Sequence, residues 1–211
     1  MMRFIRPLSL ALSLALAAAA CSSGDLTPTT PWEDTAVQAA AALPPPPPAG
    51  TVCLEFNVPA LGTVYGAPVG TPPGTLVFVE SAISVTTRRF YDAALTPYYN
   101  WTRIEPGQGW LGPDPSARLN NISLQFGFGG LTFVPSRVDI DYHDKGGHEN
   151  LTFNGVPLRI GQLETLGGGG AAIAWWWAGV NKEGRVSITG PVSSVTIGGQ
   201  ELWIDTVCAY P

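Results

Sequence analysis

The sequence has few charged residues and no concentration of positive charge. Only 13% of its 211 residues are charged, and Asp and Glu outnumber Lys and Arg by 16 to 11. Nucleic acids are bound by clustered Lys and Arg side chains, so the lack of a basic run argues against a nucleic-acid partner. The low charge, together with 25 glycines and 20 prolines, is typical of strands and turns rather than of helical bundles.

The motifs of several enzyme classes are also missing. The chain has no G-x-S-x-G nucleophile motif and no G-x-x-x-x-G-K-[ST] phosphate-binding loop. Its three cysteines have no C-x-x-C spacing, which argues against a thiolate zinc site. Paired carboxylates for glycoside hydrolysis stay open, because the fold and not the sequence sets their separation.

Residues 1–20 have the pattern of an export signal. Arg3 and Arg6 precede the apolar run Leu8–Leu16, and small residues lead to Cys21. The apolar run is short for a membrane span, whereas a basic start before such a run is typical of a signal peptide. The ending AAAC resembles a bacterial lipoprotein signal, which implies that Cys21 becomes a lipidated N-terminus. The alternative is an ordinary secretory signal that leaves Cys21 as a free thiol.

The residues after Cys21 predict an anchored, extended segment. By resemblance to lipoproteins, Ser22 implies sorting to the outer membrane if the cell is Gram-negative, so we expect a protein anchored to the bacterial cell envelope. Residues 21–50 include five consecutive prolines, Pro44–Pro48, and polyproline forms a semi-rigid spacer. We therefore expect a lipidated tether over residues 21–50, followed by a domain over residues 51–211.

Two cysteines remain once Cys21 carries the lipid. In an exported protein, an even pair such as Cys53 and Cys208 predicts a disulfide. The bond would close nearly the whole of residues 51–211 into one loop. It would also connect the first strand of the domain to the last one.

From Thr51 onward the sequence predicts short strands separated by turns. Val138, Ile140 and Tyr142 alternate with polar residues, as a strand with one buried face requires, and Asn154-Gly155 is a hairpin-turn signal. No stretch after Gly50 offers a convincing helix of ten residues. Around ten short strands in about 160 residues predict an antiparallel β-sandwich of the jelly-roll type.

Four stretches carry a resemblance to known proteins: CLEFNVPALGTVYG, LNNISLQFGFGG, DKGGHENLTFNG and ITGPVSSVTIGGQELWIDTVC. Together they resemble a little-characterised family of exported bacterial domains, over residues 51–210. More distantly, an acidic residue on the first strand and Ile-Asp-x-Val on the last resemble galactose-binding-like jelly rolls and carbohydrate-binding modules. In many of those proteins such residues hold a structural calcium ion, which implies that Glu55 and Asp205 are metal ligands here. The resemblance brings no enzymatic motif and no defined ligand.

The disulfide and the calcium ion make conflicting demands on the last strand. Cys53 and Glu55 lie on one face of the first strand, whereas Cys208 is three residues from Asp205 and therefore on the opposite face from it. A β-bulge or a strand end between Asp205 and Cys208 restores the match. Without either feature, the two proposed links are not both well placed.

A cluster of acidic and histidine residues gives a second candidate site: Asp139, Asp141, His143, Asp144, His148 and Glu149. Imidazole and carboxylate groups bind transition metals or perform acid–base chemistry, so a hydrolase built on this cluster is one hypothesis. The spacing matches no metalloprotease or facial-triad motif. The interpretation that we favour is an outward polar strand face that runs into the turn at residues 145–147.

Tryptophans give a third candidate site. Trp175 and Trp177 point to one side of a predicted strand beside a glycine run, and Trp101 and Trp110 lie in a stretch rich in loops. Exposed indoles stack on sugar rings or insert at membrane interfaces, so these four residues are candidate ligand contacts. The alternative is that the tryptophans fill the core of the sandwich.

These observations predict a surface-anchored lipoprotein whose non-catalytic β-sandwich binds carbohydrate or another envelope component. The alternatives are a hydrolase that uses the 139–149 cluster and a structural envelope lipoprotein with protein partners. The expected partners are the membrane, through the lipid anchor, and carbohydrate. Structural calcium is the cofactor that the distant resemblance implies.

Overall fold

The described part of the chain consists of antiparallel β-sheets. The structure, a computed structural model, describes residues 48–178 and 182–211, without the side chains of residues 173–178. The predicted signal peptide, Cys21 and residues 22–47 of the predicted tether lie outside the described residues. Within the described part, no helix has the length and hydropathy needed to cross a membrane.

Sixteen strands are described. In chain order they are β1 (Val52–Leu54), β2 (Val64–Gly66), β3 (Leu76–Glu80), β4 (Ile83–Arg88), β5 (Phe90–Tyr91), β6 (Pro97–Tyr98), β7 (Trp101–Pro106), β8 (Pro115–Asn120), β9 (Ile122–Gly127), β10 (Arg137–Asp144), β11 (Glu149–Phe153), β12 (Arg159–Gly161), β13 (Ala171–Ala178), β14 (Lys182–Thr189), β15 (Ser194–Gly199) and β16 (Leu202–Tyr210). Short 3-10 helices span Ala67–Val69, Gly109–Leu111 and Leu163–Thr165.

Two large sheets contain most of these strands. Sheet A has the order β13-β14-β10-β16-β8-β7-β2, with β1 also paired to β16. Sheet B has the order β12-β11-β15-β9-β4-β3, and β5 and β6 form a separate ribbon. Every strand pairing described is antiparallel. The predicted antiparallel β-sandwich is therefore confirmed, while its assignment to the jelly-roll type stays a prediction.

Alternating residues of both sheets share one core. On β10 of sheet A, Val138 and Ile140 are fully buried, and on β9 of sheet B the same is true of Phe126, with Leu124 1% exposed. All four belong to a single hydrophobic cluster. Because side chains alternate along a strand, the residues between them lie on the outer faces of the two sheets.

Strand β16 lies inside sheet A and has different partners along its two edges. One edge pairs with β10, and the other pairs with β8 at Leu202–Ile204 and with β1 at Val207–Ala209. Between these segments the register against β10 shifts, so that Asp205 and Thr206 both lie opposite Asp141. Two residues opposite one is a β-bulge.

The bulge resolves the conflict that the sequence raised. Ile204 and Val207, on either side of it, both belong to the hydrophobic core, whereas Asp205 and Cys208 do not. Asp205 and Cys208 therefore share the outer face of sheet A. Cys53 lies directly opposite Cys208 in the register of β1 and β16, and the two residues form a disulfide across 155 positions of sequence. The predicted disulfide is confirmed.

The chain leaves sheet A directly after β1. Phe56 has a φ of +56° and is fully buried, so the extended backbone of β1 does not continue through it. The carboxylate of Glu80 accepts hydrogen bonds from the backbone N–H groups of Glu55, Asn57 and Val58, at 3.1, 3.2 and 3.1 Å. This arrangement holds the turn and leaves the Glu55 side chain exposed.

Two strands occur where the sequence suggested loops. Strands β7 and β8 pair along their whole length, and Trp101 begins the first of them. Their inward residues include Thr102, which is polar, and their outward residues include Trp101 and Arg103. An alternation with an inward threonine and an outward tryptophan does not follow the apolar-in, polar-out pattern from which strands are predicted.

We expect the disulfide to stabilise the domain. The mature chain without its lipid, residues 21–211 carrying Cys21→Ser, serves as the reference protein. Adding Cys53→Ala and Cys208→Ala should lower its free energy of unfolding by about 2–5 kcal/mol, because the unfolded chain loses a loop closure. Urea unfolding measures the change, and a reductant should destabilise the reference protein but not the variant. Equal unfolding midpoints for the two proteins would contradict the expectation.

Candidate functional site

A cleft of about 510 Å³ lies over the outer face of sheet B. Ser123, Thr152 and Thr196 form its floor, and they come from the neighbouring strands β9, β11 and β15. Ile197 and Leu124, which follow two of these residues, are buried in the core. The alternation therefore turns the small hydroxyl side chains away from the core and toward the cleft. We call this feature the sheet B cleft.

The walls of the sheet B cleft come from the segments around β3 to β5. Arg88 ends β4, Arg89 follows it, and Tyr91 belongs to β5. Pro73, Gly74 and Leu158 complete the lining on other sides. The cleft thus combines hydroxyl groups, two guanidinium groups, a phenol ring and apolar carbon.

A buried amide holds the Tyr91 segment in place. The side-chain oxygen of Asn150 accepts a hydrogen bond from the Tyr91 N–H at 2.7 Å, and its amide nitrogen donates to the Tyr91 carbonyl at 2.8 Å. Asn150 is 1% exposed, so these hydrogen bonds form away from water. Breaking them would leave buried polar groups unsatisfied, and this wall is therefore preformed.

Ser123 lies at the bottom of the sheet B cleft. Its residue is fully buried, and its hydroxyl has no hydrogen-bond partner among the described residues. Gly198 lies opposite on β15, and a Cβ at that position would be 2.0 Å from the Ser123 hydroxyl oxygen. Because Gly198 has no side chain, it leaves room for the Ser123 hydroxyl.

The acidic and histidine cluster of residues 139–149 is divided by the strand alternation. Asp139, Asp141 and His143 lie on the outer side of β10, whereas Asp144 at its end lies on the inner side with Tyr142, and all four are buried. Glu149 begins β11 in the other sheet and is also buried. The six residues therefore do not form one site, and none of them lines the sheet B cleft.

The outward members of the cluster are bound by counter-charges. Arg185 donates from Nε and Nη2 to the two oxygens of Asp141, at 2.5 and 2.8 Å. Arg137 Nε lies 3.3 Å from Asp139 Oδ1. We expected a polar face, but Asp139 and Asp141 are only 5% and 8% exposed because the arginines cover them.

His143 pairs with a carboxylate under a glycine turn. Its Nδ1 is 2.7 Å from Glu183 Oε1, and the residue is 2% exposed. Gly109 packs directly over the pair, since a Cβ there would lie 1.7 Å from the same Glu183 oxygen. Next to it, the indole N–H of Trp110 donates to the Tyr142 carbonyl at 3.1 Å, so Trp110 secures this turn on β10.

Asp144 and Glu149, on the inner side of the sheets, lie near a further carboxylate, Glu164, which is partly exposed. Asp144, Glu149 and Glu164 each have one buried oxygen without a hydrogen-bond partner in the described structure, as does the Tyr142 hydroxyl. Burial raises the pKa of Glu149 to about 9, and the charge of Asp144 adds to this, while the Leu163 N–H opposes it. Burial therefore favours the protonated form of Glu149.

The predicted calcium ligands lie close to other carboxylates. Burial raises the pKa of Asp205 to about 7, with further contributions from the charges of Asp141, Asp114 and Glu55. The bulge thus brings Asp205 within electrostatic range of Glu55. Among the described residues, however, no three Asp, Glu, His or Cys side chains are arranged to hold a metal ion.

The predicted tryptophan contacts do not line the sheet B cleft. Trp101 stacks with two cations on the outer face of sheet A, with the guanidinium carbons of Arg103 and Arg118 5.4 and 5.3 Å from its ring. Arg118 also covers Trp203 on β16, which the sequence did not single out, at 4.7 Å. The side chains of Trp175 and Trp177, on β13, lie outside the described residues.

The residues that do line the cleft were missed by sequence analysis. Arg88, Ser123, Thr152 and Thr196 are each an ordinary outward polar residue on an alternating strand. The signal available was the run of small hydroxyl residues at outward positions, which is not specific by itself. Their convergence depends on the order of strands in sheet B.

Comparison with known proteins assigns no family to the chain. It matches no protein-family model, no curated protein and no solved structure. The resemblance to exported bacterial domains therefore remains a proposal. Function is inferred below from the residues of this chain.

The buried Glu149 makes stability depend on pH. Its folded pKa of about 9 exceeds the ordinary value of 4.5, so between these pH values the unfolded chain binds fewer protons and stability falls as the pH rises. Glu149→Gln cannot ionise and keeps an acceptor for the Leu163 N–H. We expect the variant to lose less unfolding free energy than the reference protein between pH 5 and pH 9.

Urea unfolding at a series of pH values measures this difference. Glu201→Gln removes an exposed carboxylate and is the matched control, because its loss should leave the pH dependence as it is. Parallel pH profiles for Glu149→Gln and the reference protein would show that Glu149 is ionised in the folded state, contrary to the expectation.

Proposed function

We propose that the protein is an exported, lipid-anchored module of the bacterial envelope that binds carbohydrate in the sheet B cleft and catalyses no reaction. The observation that supports this most is the composition of the cleft. Three hydroxyl groups form its floor, and Tyr91 and Leu158 add apolar surface beside them. A sugar has hydroxyl groups along its edges and apolar C–H faces. Its hydroxyl edge fits the floor of the cleft, and its apolar face fits the surface of Tyr91 and Leu158.

The size and stiffness of the cleft also favour a ligand. Its volume of about 510 Å³ is in the range of small-molecule sites, roughly 300–1,000 Å³. The floor belongs to three hydrogen-bonded strands, and Asn150 holds the Tyr91 wall. A preformed site loses little conformational entropy when a ligand binds.

The anchor belongs to the proposal on the basis of the sequence. A lipid on Cys21 would attach the chain to the membrane, and the tether of residues 21–50 would separate the domain from the membrane surface. Polyproline extends about 3.1 Å per residue, so Pro44–Pro48 makes a stiff final part of the spacer. A binding module on such a spacer can reach polymers outside the bilayer.

The non-catalytic part of the proposal is supported by the contacts of the 139–149 cluster. Asp141 is bound by Arg185, His143 by Glu183, and Glu149 is enclosed between the sheets. A hydrolase needs its acid and base within reach of a bound substrate. The hydrolase hypothesis is therefore less well supported than binding.

Calcium remains a secondary proposal at Glu55 and Asp205. Its support is that Asp205 is repelled by several carboxylates, among them Glu55 and Asp114, and a divalent cation would relieve this repulsion. Backbone carbonyls or further side chains would have to complete the coordination, since no group of three ligands is arranged among the described residues.

A thermal-shift experiment tests the calcium proposal. Calcium at about one hundred times its Kd should raise the Tm of the chelated reference protein by about 5–10 °C. Asp205→Asn should abolish this rise. In chelator at pH 8 the same variant should be more stable than the reference protein, because it removes a buried charge. A Tm that does not respond to calcium would remove the ion from the proposal.

A blocking substitution tests the location of the binding site. Thr196→Phe places a ring on the cleft floor and should abolish binding to any polysaccharide that the reference protein retains in affinity gel electrophoresis. Ser194→Phe is the matched control, because Ser194 is on the same strand and the same face but does not line the cleft. If Thr196→Phe binds normally while Trp101→Ala does not, the ligand lies on sheet A and the proposal is wrong.

A further inference from the structure

The charge of the sheet B cleft is opposite to the charge of the protein. The chain carries a net charge of −5, or −7 without residues 1–20, which contain Arg3 and Arg6. The cleft is nevertheless lined by Arg88 and Arg89 and by no acidic residue. A concave surface with charges of one sign attracts ligands of the opposite sign.

The two cleft arginines also differ from most of the other arginines described. Arg118, Arg137 and Arg185 form ion pairs, and Arg159 donates to the carbonyls of Leu166 and Gly168, whereas Arg103 stacks on Trp101 and is exposed. Arg88 bonds only to a neutral amide, and Arg89 makes no hydrogen bond or ion pair within the described part of the chain. Both therefore keep an uncompensated positive charge.

Arg88 is also held in one orientation. Its Nε donates to the side-chain oxygen of Gln125 at 2.8 Å, and Nη2 donates to the same oxygen. The remaining nitrogen, Nη1, lies near Gly74, where an added Cβ would be 3.4 Å away. Gln125 thus orients the guanidinium without reducing its charge. An oriented guanidinium binds carboxylate and sulfate groups through two parallel hydrogen bonds.

The floor supplies the neutral half of a recognition site. The Ser123 hydroxyl is buried and has no partner among the described residues, so a ligand hydroxyl that reaches it would satisfy both groups. Thr196 offers a further hydroxyl on the neighbouring strand, and the Thr152 hydroxyl, which donates to the Val156 carbonyl, can still accept a hydrogen bond. Hydroxyl-bearing and anionic groups on one ligand would match the floor and the arginine wall together.

From these features we infer that the sheet B cleft binds an acidic glycan, a polysaccharide whose sugars carry carboxylate or sulfate groups. The anionic group lies on Arg88 and Arg89, and sugar hydroxyls lie on Ser123, Thr152 and Thr196. The inference rests on the proposed carbohydrate-binding function and adds the charge of the ligand to it.

Matched pairs of polymers test the inference with the reference protein. Polygalacturonate and hyaluronan are compared with their carboxyl-reduced, neutral forms, and dextran sulfate is compared with dextran, by isothermal titration calorimetry. We expect at least one acidic polymer to bind tenfold or more tightly than its neutral counterpart, and added salt to weaken that binding. Binding of carboxylated polymers alone, or of sulfated polymers alone, supports the inference and identifies the anionic group.

Arginine variants assign the effect to the cleft. Arg88→Gln and Arg89→Gln should each weaken binding of the acidic polymer about tenfold, because each removes a charge-assisted contact. Arg103→Gln is the matched control, since it removes the same charge from an exposed position on sheet A and should leave the affinity unchanged. Equal loss in all three variants would mean that net charge alone drives binding, and would overturn the inference.

The outcomes separate the inference from the function on which it rests. Equal affinity for acidic and neutral forms, abolished by Thr196→Phe, would overturn charge selection and leave carbohydrate binding in the cleft intact. No binding to any of the six polymers would overturn the inference and count against the proposed function as well. Thermal unfolding of each variant shows whether a loss of binding reflects a loss of fold.

Discussion

The pairing of β16 is the constraint on which the rest of the domain depends. This strand is hydrogen-bonded to β10 on one edge and to both β1 and β8 on the other, so it connects the first part of the domain to the last. The bulge at Asp205 and Thr206 allows the change of partner while both halves keep their apolar residues in the core. The disulfide from Cys53 to Cys208 closes the same junction covalently. Sheet B packs against the inner face that this closure maintains.

Much of this closure could be predicted from sequence, because it depends on patterns within short stretches of the chain. The alternation of β16 and β10 is clear, the even pair of cysteines predicts a disulfide, and the spacing of Asp205 and Cys208 requires a bulge if both are to serve the same face. Strands β7 and β8 could not be predicted in the same way. Their outward side chains include Trp101, which stacks with two arginines, and their inward side chains include Thr102. The polarity of a residue therefore does not indicate which face of these strands is buried.

The candidate site could not be predicted because its residues are ordinary in sequence and special only in space. Arg88, Ser123, Thr152 and Thr196 come from four strands that the order of sheet B places side by side. The tryptophan and the acidic residue that the sequence suggested as site residues, and that the structure describes, have structural roles instead. Trp110 secures a turn, and Asp141 is neutralised by an arginine. The reactive side chains singled out in the sequence therefore mainly stabilise the fold where they are described, and the cleft is lined by ordinary polar residues.

The central claim is that ligands bind on the outer face of sheet B. It is tested most directly by following the backbone amides of the reference protein by nuclear magnetic resonance during titration with polygalacturonate. We expect the largest shifts on the amides of Ser123, Thr152 and Thr196, while those of Trp101 and Trp203 on sheet A stay unchanged. Shifts centred on Trp101 and Trp203, with the amides of β9, β11 and β15 unaffected, would contradict it.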